Sequence, residues 1–428
     1  MTTRTHRSTT VAGTALLATL ALAACGGSGG DSTGAGDDSG APSGELRIAV
    51  PTSQGPATTA AAEAFEQEYP DVSVDVSTAN TDQYQQATRT QLASGTAADV
   101  VYVWAGSGGV MSVATLASEG VLADLSEEEW TAGIPEEQRF LTQVDGKTYI
   151  LPAIYGAVGA IYNQAAFDTA GVTPPQTWTE LLAACDTFND AGIVPMALGL
   201  QTPANGQFID YSLVATTVYA EQPDFGEQMD SGAATFADSG WRDAMEKYLE
   251  LNEHGCFQEN PTGTPADEAL RMVSTGEAAM SVQVNSSLPQ VQESAPDTEF
   301  GLLALPATDD APATRLPVAL TGTFGVTARS ENQATAKAFL DFLAENQSIY
   351  AEQVSTLPID PDQAPAEVTP ALETVSTFVA DGRTAPYPDQ TWPNPEVQQT
   401  HLQVVQDLFT GSASVDDALG RLQEAFEG

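Results

Sequence analysis

The segment from Glu45 to Trp104 alternates strand-like and helix-like stretches. The strand-like stretches read ELRIAV, VSVDV and DVVYVW, and the helix-like stretches between them read ATTAAAEAFEQEY and YQQATRTQLASG. Leu46, Ile48 and Val50 share one face of the first strand, as a period of two residues requires. The third strand is apolar on both faces, which is typical of a central strand in a parallel sheet. This order predicts an α/β fold in which a mostly parallel sheet is flanked by helices.

The same alternation continues along the rest of the chain. Capping-box spacings at Thr177 and Ser330, and a Thr-Pro pair at Thr264, predict helix starts. Short strands are predicted between the helices, with the sequences YILPAI, GAIYN, VPMAL, AAMSVQV, FGLLALP and TFGVTA. The last quarter, from Ala371, is predicted to be mostly helical. A chain of 428 residues exceeds what one core usually serves, so two lobes are expected.

The amino terminus resembles a secretory signal peptide. A short basic segment precedes the apolar stretch VAGTALLATLALAA, which is too short to span a bilayer. The stretch ends in LAAC, which resembles a bacterial lipobox. This resemblance implies that residues 1–24 are removed and that Cys25 carries the lipid; the alternative is an ordinary signal peptide. Residues 25–44 are predicted to be a flexible tether. We therefore expect an extracytoplasmic protein, held at the outer face of the bacterial cell membrane by its lipid alone.

The charge balance is strongly acidic. The chain has 58 acidic and 14 basic residues and a formal net charge of −44. Because such a chain cannot neutralise phosphates, nucleic acid is excluded as a partner. We interpret the acidity as an aid to solubility and salt tolerance, with attraction of a cationic ligand as the alternative.

Two cysteines remain once Cys25 is assigned to the lipid. Cys185 and Cys256 form an even pair in an oxidising compartment, which predicts a disulfide between them. The alternative is two buried free thiols.

Motifs for metal binding and catalysis are missing from the sequence. His254 and His401 are the only histidines after Cys25, and there is no HExxH motif or Cys/His cluster, so no metal site is predicted. There is no GxSxG motif, and AGSGGV lacks the GK[ST] end of a phosphate loop. Composition does not exclude a pair of catalytic carboxylates, so a secreted glycosidase remains the alternative of a different class. We expect a binding protein that is not an enzyme and needs no cofactor.

An ordered set of stretches carries a family resemblance. They include LASGTAADVVYVWAG, LASEGVLADLSE, DGKTYILPAIYGAVGAIYN, STGEAAMSV, FGVTARSENQATAKAFLDFLA and GSASVDDALGRLQEAF. In this order they resemble the extracellular solute-binding proteins of ATP-binding-cassette (ABC) importers, the group that includes maltose-binding proteins. The resemblance implies a two-lobed periplasmic-binding-protein-like fold with the ligand cleft between the lobes. We expect residues 45–154 and 307–352 in the N-lobe, and residues 155–306 and 353–428 in the C-lobe.

The resemblance also implies a function. Such a protein would capture a sugar or oligosaccharide and deliver it to the ABC permease subunits in the membrane. We expect a monomer that closes its lobes on the ligand, since a ligand that touches both lobes favours the closed state. A receptor for a cationic small solute is the alternative within the same class. The segment NSSLPQ lacks the tryptophan that maltose-type proteins place after AAMSV, which argues against maltose itself.

Trp104 is the leading candidate for ligand contact. It follows the strand DVVYV, and ligands bind at the carboxyl ends of strands in open α/β sheets. Its ring would stack on a sugar, and the small residues after it would let backbone approach the ligand; the alternative is a core position. Segments that match the family add further candidates, for whose aromatic members the alternative is interior packing. These candidates are Thr52, Ser53, Gln54, Ser107, Tyr155, Phe208, Asp210, Tyr211, Asn285 and Trp392.

Overall fold

A mixed sheet flanked by helices is the framework of the computed structural model, which describes residues 41–366 and 368–428. The strands are β1 (Gly44–Pro51), β2 (Val72–Ala79), β3 (Val100–Tyr102), β4 (Gln143–Val144), β5 (Lys147–Thr148), β6 (Leu151–Asn163), β7 (Val194–Met196), β8 (Ala278–Val284), β9 (Phe300–Leu303), β10 (Leu316–Val326) and β11 (Thr384–Ala385). The order in the sheet is β2-β1-β3-β10-β6-β8-β7, with β9 beside β6 and β11 beside β10. Strands β4 and β5 form a separate antiparallel pair.

Helices connect most of these strands. They are α1 (Gly55–Glu68), α2 (Thr81–Ser94), α3 (Val113–Ser118), α4 (Gln164–Ala170), α5 (Trp178–Asp190), α6 (Gln207–Thr217), α7 (Phe225–Asp230), α8 (Trp241–Glu253), α9 (Ala266–Thr275), α10 (Leu288–Ser294), α11 (Gln333–Glu345), α12 (Gln347–Gln353), α13 (Pro370–Ala380), α14 (Pro395–Phe409) and α15 (Val415–Glu427). Within the described residues, none is both long and apolar enough to cross a bilayer.

The outer strands are parallel and the two long central strands are antiparallel. Strand β1 pairs in parallel with β2 and β3, and β7 pairs in parallel with β8. Strand β10 runs antiparallel to β3 and β6, and β6 runs antiparallel to β8. The predicted α/β fold with a sheet flanked by helices is confirmed.

The long strand β6 corrects one prediction from the sequence. The stretches YILPAI and GAIYN are predicted to be separate strands, but Leu151–Ile154 of the first and all of the second lie in β6. Gly156 and Gly159 permit close packing and do not end the strand. A Cβ atom on Gly156 would lie 2.5 Å from the side chain of Thr321, and one on Gly159 would lie 2.8 Å from the carbonyl oxygen of Leu303.

The core is divided into clusters of buried apolar side chains. The first cluster takes its side chains from residues 46–154 and 320–359, and the second takes them from residues between 158 and 425. A smaller third cluster lies beside the second, around α9, α10 and β9. Strands β6 and β10 contribute side chains to both large clusters, so they carry the chain from one to the other. The lobe boundaries given above remain a prediction.

A disulfide cross-links two segments of the second cluster. Cys185 of α5 is bonded to Cys256, which follows α8, and their Cα atoms are 5.2 Å apart. Both cysteines are fully buried. The predicted disulfide is confirmed.

The first strand begins at the end of the predicted tether. Gly44 opens β1, pairs with Val72, and donates its N–H to the carbonyl of Asp71 at 2.9 Å. The strand therefore starts one residue earlier than the sequence predicted. The predicted signal peptide and the lipidation site Cys25 lie outside the described residues.

Candidate functional site

Trp104 lies at the carboxyl end of β3, at the start of a loop of small residues. Its N–H donates to the carbonyl of Met111 at 3.0 Å, and its carbonyl accepts the N–H of Val113 at 2.8 Å. The ring centroid lies 4.8 Å from that of Tyr102 and 5.9 Å from that of Tyr84. Trp104 is half-buried. Neighbouring rings therefore cover part of the Trp104 ring, and the residue remains partly exposed.

The loop after Trp104 contacts a segment near the carboxyl terminus. The N–H of Gly108 donates to the carbonyl of Asp389 at 3.0 Å, and that of Ser107 donates to the carbonyl of Gln390 at 3.3 Å. The hydroxyl of Ser107 also donates to the carbonyl of Trp392. We call this contact between residues 105–109 and 387–392 the seam. It joins two of the predicted site residues, Ser107 and Trp392, directly.

The small residues of the loop have a different role from the one expected. A Cβ atom on Gly106 would lie 2.0 Å from the carbonyl oxygen of Gln390, and one on Gly108 would lie 2.1 Å from that of Asp389. Side chains are excluded here because another stretch of backbone occupies the space. The sequence predicted that the small residues would admit a ligand, and in this structure they admit residues 389–390.

A polar network extends from the seam into the second cluster. Gln398 of α14 donates its Nε2 to Oδ2 of Asp389 at 3.0 Å and to Oε1 of Gln207 at 3.2 Å. The hydroxyl of Tyr211 donates to the same Gln207 oxygen at 3.0 Å. The network brings the predicted site residue Tyr211 together with the seam, although its ring is buried.

Three buried oxygens at the seam lack a hydrogen-bond partner among the described residues. They are Oδ1 of Asp389, Oη of Tyr387 and Oγ1 of Thr321. Thr321 adjoins the seam because the carbonyl of Leu320 accepts Nε2 of Gln390 at 3.0 Å. Buried polar groups nearly always have a partner, and one left without costs about 1–3 kcal/mol. All three oxygens are enclosed by protein in this structure, so a ligand would reach them only when the seam opens.

Burial is the main cause of the shifted pKa values of the carboxyl and phenol groups at and around the seam. It raises the pKa of Asp389 to about 6, although the Tyr211 hydroxyl, the backbone N–H of Asp389 and the nearby His401 oppose the shift. It raises the pKa of Tyr102 to about 12 and holds those of Tyr211 and Tyr387 well above the usual value. Within the described residues no lysine or arginine forms an ion pair with Asp389. The site combines one carboxyl group with phenols, which suits hydrogen bonding to hydroxyl groups.

Four other predicted residues lie at partly exposed positions. Tyr155 is half-buried, and its hydroxyl donates to Oε1 of Gln138 at 3.4 Å. Phe208 is half-buried in the first turn of α6, beside Gln207 of the polar network. Thr52 is exposed and Ser53 half-buried, in a turn whose Cα atoms come within 8 Å of the turn Asn285–Ser287.

Two of the polar candidates, Asp210 and Asn285, are buried in the structure. Asp210 is fully buried, and its Oδ2 lies 2.9 Å from Nε2 of His401. Asn285 accepts the N–H of Ala157 at 3.0 Å and donates to the carbonyl of Val354 at 3.2 Å. Asp210 and Asn285 therefore serve the interior and present no accessible surface.

Gln54 and Trp392 are also interior side chains. Oε1 of Gln54 accepts the hydroxyl of Tyr350 at 2.6 Å. The ring of Trp392 packs against Tyr211, Trp241 and His401, with centroids 6.4, 6.3 and 5.6 Å apart. The backbone of Trp392 reaches the seam, but its ring stabilises the second cluster.

Sequence reasoning missed the polar residues of the seam. The missed residues are Gln207, Thr321, Tyr387, Asp389 and Gln398. One signal was present: Asp389 lies in DQTWPNPEV, the stretch that was singled out for Trp392. In the described part of the chain, no group of three or more His, Cys, Asp or Glu side chains could hold a metal ion.

Comparison with known proteins agrees with this architecture. Residues 49–349 match the family model of the bacterial extracellular solute-binding protein. A protein of Brucella abortus (strain 2308) described as a binding protein is 24% identical over 401 residues, which cover 89% of this chain and 92% of the relative. The melibiose/raffinose/stachyose-binding protein of Bacillus subtilis (strain 168) is 22% identical over 190 residues, which cover 43% of this chain and 44% of the relative.

The solved structure of a chitin oligosaccharide binding protein superimposes with a TM-score of 0.73 at 20% sequence identity. The match covers 90% of this chain and 98% of that one. A likeness of this extent shows that the chain has the fold of these binding proteins, the two-lobed fold that the sequence resemblance implied. With 301 residues of the chain matched by the family model, the chain belongs to the family of bacterial extracellular solute-binding proteins.

Proposed function

We propose that this chain is the extracytoplasmic substrate-binding lipoprotein of an ABC importer, and that it captures a sugar or oligosaccharide. The observations that support the proposal are the half-buried ring of Trp104 at the carboxyl end of β3 and the three buried oxygens at the seam that have no hydrogen-bond partner among the described residues. The sugar ligands named for the Bacillus subtilis relative and for the chitin oligosaccharide binding protein support the same ligand class.

The chemistry of a sugar matches these surfaces. A pyranose ring has an apolar face, which would pack on Trp104 and remove apolar surface from water. Its rim of hydroxyl groups would meet Asp389, Tyr387 and Thr321. A stereoisomer with a misplaced hydroxyl would leave a buried oxygen without a partner, at a cost of about 1–3 kcal/mol. Recognition in this proposal involves binding alone, and no reaction is catalysed.

Delivery of the ligand to the permease would depend on the lipid anchor, the tether and closure of the lobes. Cys25 would carry the lipid that holds the protein at the outer face of the membrane, and the segment before β1 would act as its tether. A ligand that contacts both lobes would favour the closed state, which the monomer would present to the permease subunits. Strands β6 and β10, which contribute to both large clusters, are the natural hinge between the lobes.

Calorimetry against a panel of ligands tests the proposal. The neutral panel is melibiose, raffinose, stachyose, maltotriose and chitotriose, and spermidine represents a cationic solute. We expect binding heat from at least one neutral sugar and none from spermidine. Heat from spermidine alone would overturn the sugar assignment. Release of smaller saccharides from the panel would instead indicate a glycosidase.

A tryptophan pair tests the site. Trp104→Ala removes the accessible ring at the end of β3 and is expected to weaken sugar binding by at least about tenfold, equivalent to ~1.4 kcal/mol. Trp130→Ala is the matched control. Trp130 is also half-buried against the first cluster, but it lies in a turn next to α11. Equal affinities for the two variants would remove Trp104 from the binding site.

A further inference from the structure

A cavity lies at the opposite end of β3 from Trp104. Its volume is about 210 Å³, and it is lined by Arg47 of β1, by Asp99 directly before β3 and by Arg329 after β10. Two of the chain's 14 lysines and arginines therefore meet at one cavity, although the chain has 58 acidic residues. We call it the arginine cavity. It shares no lining residue with the seam, so it is separate from the proposed sugar site.

Arg329 brings a guanidinium group to this cavity that has no partner among the described residues. Of the lysines and arginines in residues 41–366 and 368–428, only Arg329 has a side chain with neither an ion pair nor a hydrogen bond. The side chain lies against the end of α2, where a Cβ atom on Gly95 would be 3.0 Å from Nη1 of Arg329. Arg329 is exposed, so its guanidinium is accessible to an anion from solution.

Arg47 is anchored on one side and open on the other. Its Nη2 donates to the carbonyl of Ala97 at 2.9 Å, and its Nε lies 3.6 Å from Oδ2 of Asp99. Its Nη1 forms no hydrogen bond with the described residues, and 46% of the side-chain surface is exposed. The position of this guanidinium is therefore fixed before any ligand arrives, which lowers the entropic cost of binding.

The carboxylates of the arginine cavity leave both guanidinium groups accessible. Oδ2 of Asp99 accepts the N–H of Arg47 at 2.9 Å, and Oδ1 accepts the hydroxyl of Ser330 at 2.8 Å. Asp99 is buried, so it holds Arg47 from the inner side. Glu331 also lines the cavity but is exposed. Acidic residues elsewhere on the surface repel an anion only weakly, because physiological salt screens exposed charges beyond about 8 Å.

We propose that the arginine cavity binds a phosphate group between Arg47 and Arg329. Guanidinium groups donate pairs of N–H groups that match the oxygens of phosphates and carboxylates. A carboxylate has two oxygens and satisfies one guanidinium, whereas a phosphate has enough oxygens and charge to bond two at once. One phosphate group needs only these two side chains, unlike a nucleic acid, which requires an extended basic surface.

Two sources could supply this phosphate: the free ion and the headgroup of a lipid. The position of the cavity is relevant to the second source. Asn332 lines the cavity and donates its Nδ2 to the carbonyl of Glu45 at 3.2 Å, and Thr335 donates its hydroxyl to the carbonyl of Ser43 at 3.2 Å. The described chain therefore enters the fold beside the arginine cavity. If the chain is anchored by lipid as proposed, the same side would be connected to the membrane.

Calorimetry of the full chain tests the site with inorganic phosphate as the probe. The protein would be titrated in phosphate-free buffer at constant ionic strength, with sodium chloride as the blank. We expect wild type to bind phosphate, and Arg329→Gln to bind it at least about tenfold more weakly. Since Arg329 bonds no other described residue, this variant should fold as wild type does. Arg242→Gln is the matched control, because it removes an exposed arginine that pairs with Asp416 on α15, and it should keep the wild-type affinity.

Co-sedimentation with vesicles separates the two sources. The vesicles would consist of phosphatidylcholine with or without phosphatidic acid, and wild type would be compared with the same two variants. Binding to phosphatidic acid that is lost in Arg329→Gln but kept in Arg242→Gln would assign the cavity to a lipid headgroup. Arg329-dependent binding of inorganic phosphate without such vesicle binding would assign it to the free ion. If Arg329→Gln behaves as wild type in both experiments, the proposal is wrong.

Discussion

Gly108 and Gly109 are neighbours in the chain but have different surroundings. A Cβ atom on Gly108 would lie 2.1 Å from the carbonyl oxygen of Asp389, whereas one on Gly109 would first meet the flexible end of Gln398 at 3.3 Å. Neither glycine has a positive φ, so only the available space distinguishes them. We predict that Gly108→Ala destabilises the protein by about 1–3 kcal/mol because it forces the backbone of the seam apart.

Gly109→Ala is the control for this prediction. Its effect on the free energy of unfolding should stay within about 0.5 kcal/mol, because a side-chain tip can move aside. Urea unfolding of the two variants measures both values. Equal stabilities would show that the seam does not form as described.

The residues of the site differ in how far the sequence could predict them. Trp104 and Ser107 could be proposed from the sequence because they follow a buried strand, and ligands bind at such strand ends. Asp389 could not, because its burial and its contacts depend on residues far away in the chain, such as Gly108 and Tyr211. The burial of Asp210 and Asn285 could not be predicted either, because local sequence does not show that Asp210 faces His401 or that Asn285 bonds the backbone of Ala157 and Val354.

Among the elements, α5 and the segment after α8 depend on a covalent link. The bond between Cys185 and Cys256 spans a sequence separation of 71 residues. In the chain-entropy model, closing a loop of this size contributes about 4 kcal/mol to stability. We predict that a reductant lowers the free energy of unfolding by roughly that amount, as measured by urea unfolding with and without dithiothreitol.

A double variant controls for other effects of the reductant. Cys185→Ala combined with Cys256→Ala should unfold at the same urea concentration in both conditions. If the wild-type midpoint also stays constant, the disulfide does not form in solution.

The elements show where local signals succeed and where they fail. Thr177 caps α5 as predicted, since its side chain accepts the N–H of Glu180 at 3.2 Å. Ser330 was expected to cap α11, but its hydroxyl donates to Asp99 at 2.8 Å and Asn332 precedes the helix. The oxygen of the same hydroxyl accepts the N–H of Asn332 at 2.9 Å, so Ser330 lies in a turn before α11, held there by its long-range bond to Asp99. Such a contact is invisible in a four-residue spacing.

At the scale of the whole molecule, two apolar clusters are joined in two ways. Strands β6 and β10 run continuously from one cluster to the other, and the seam adds hydrogen bonds between the loop after Trp104 and residues 387–392. The alternation of strands and helices predicted the α/β class. It could not predict the sheet order, because β10 lies between β3 and β6 although more than 150 residues separate it from either.

Hydrogen–deuterium exchange tests most directly whether a sugar binds at the seam. The full chain would be compared without ligand and with whichever of the five neutral sugars binds most tightly. We predict slower exchange in peptides that cover residues 102–112 and 384–392, and unchanged exchange in α13 and α15. Protection confined to other parts of the chain, with exchange at the seam unaltered, would contradict the account.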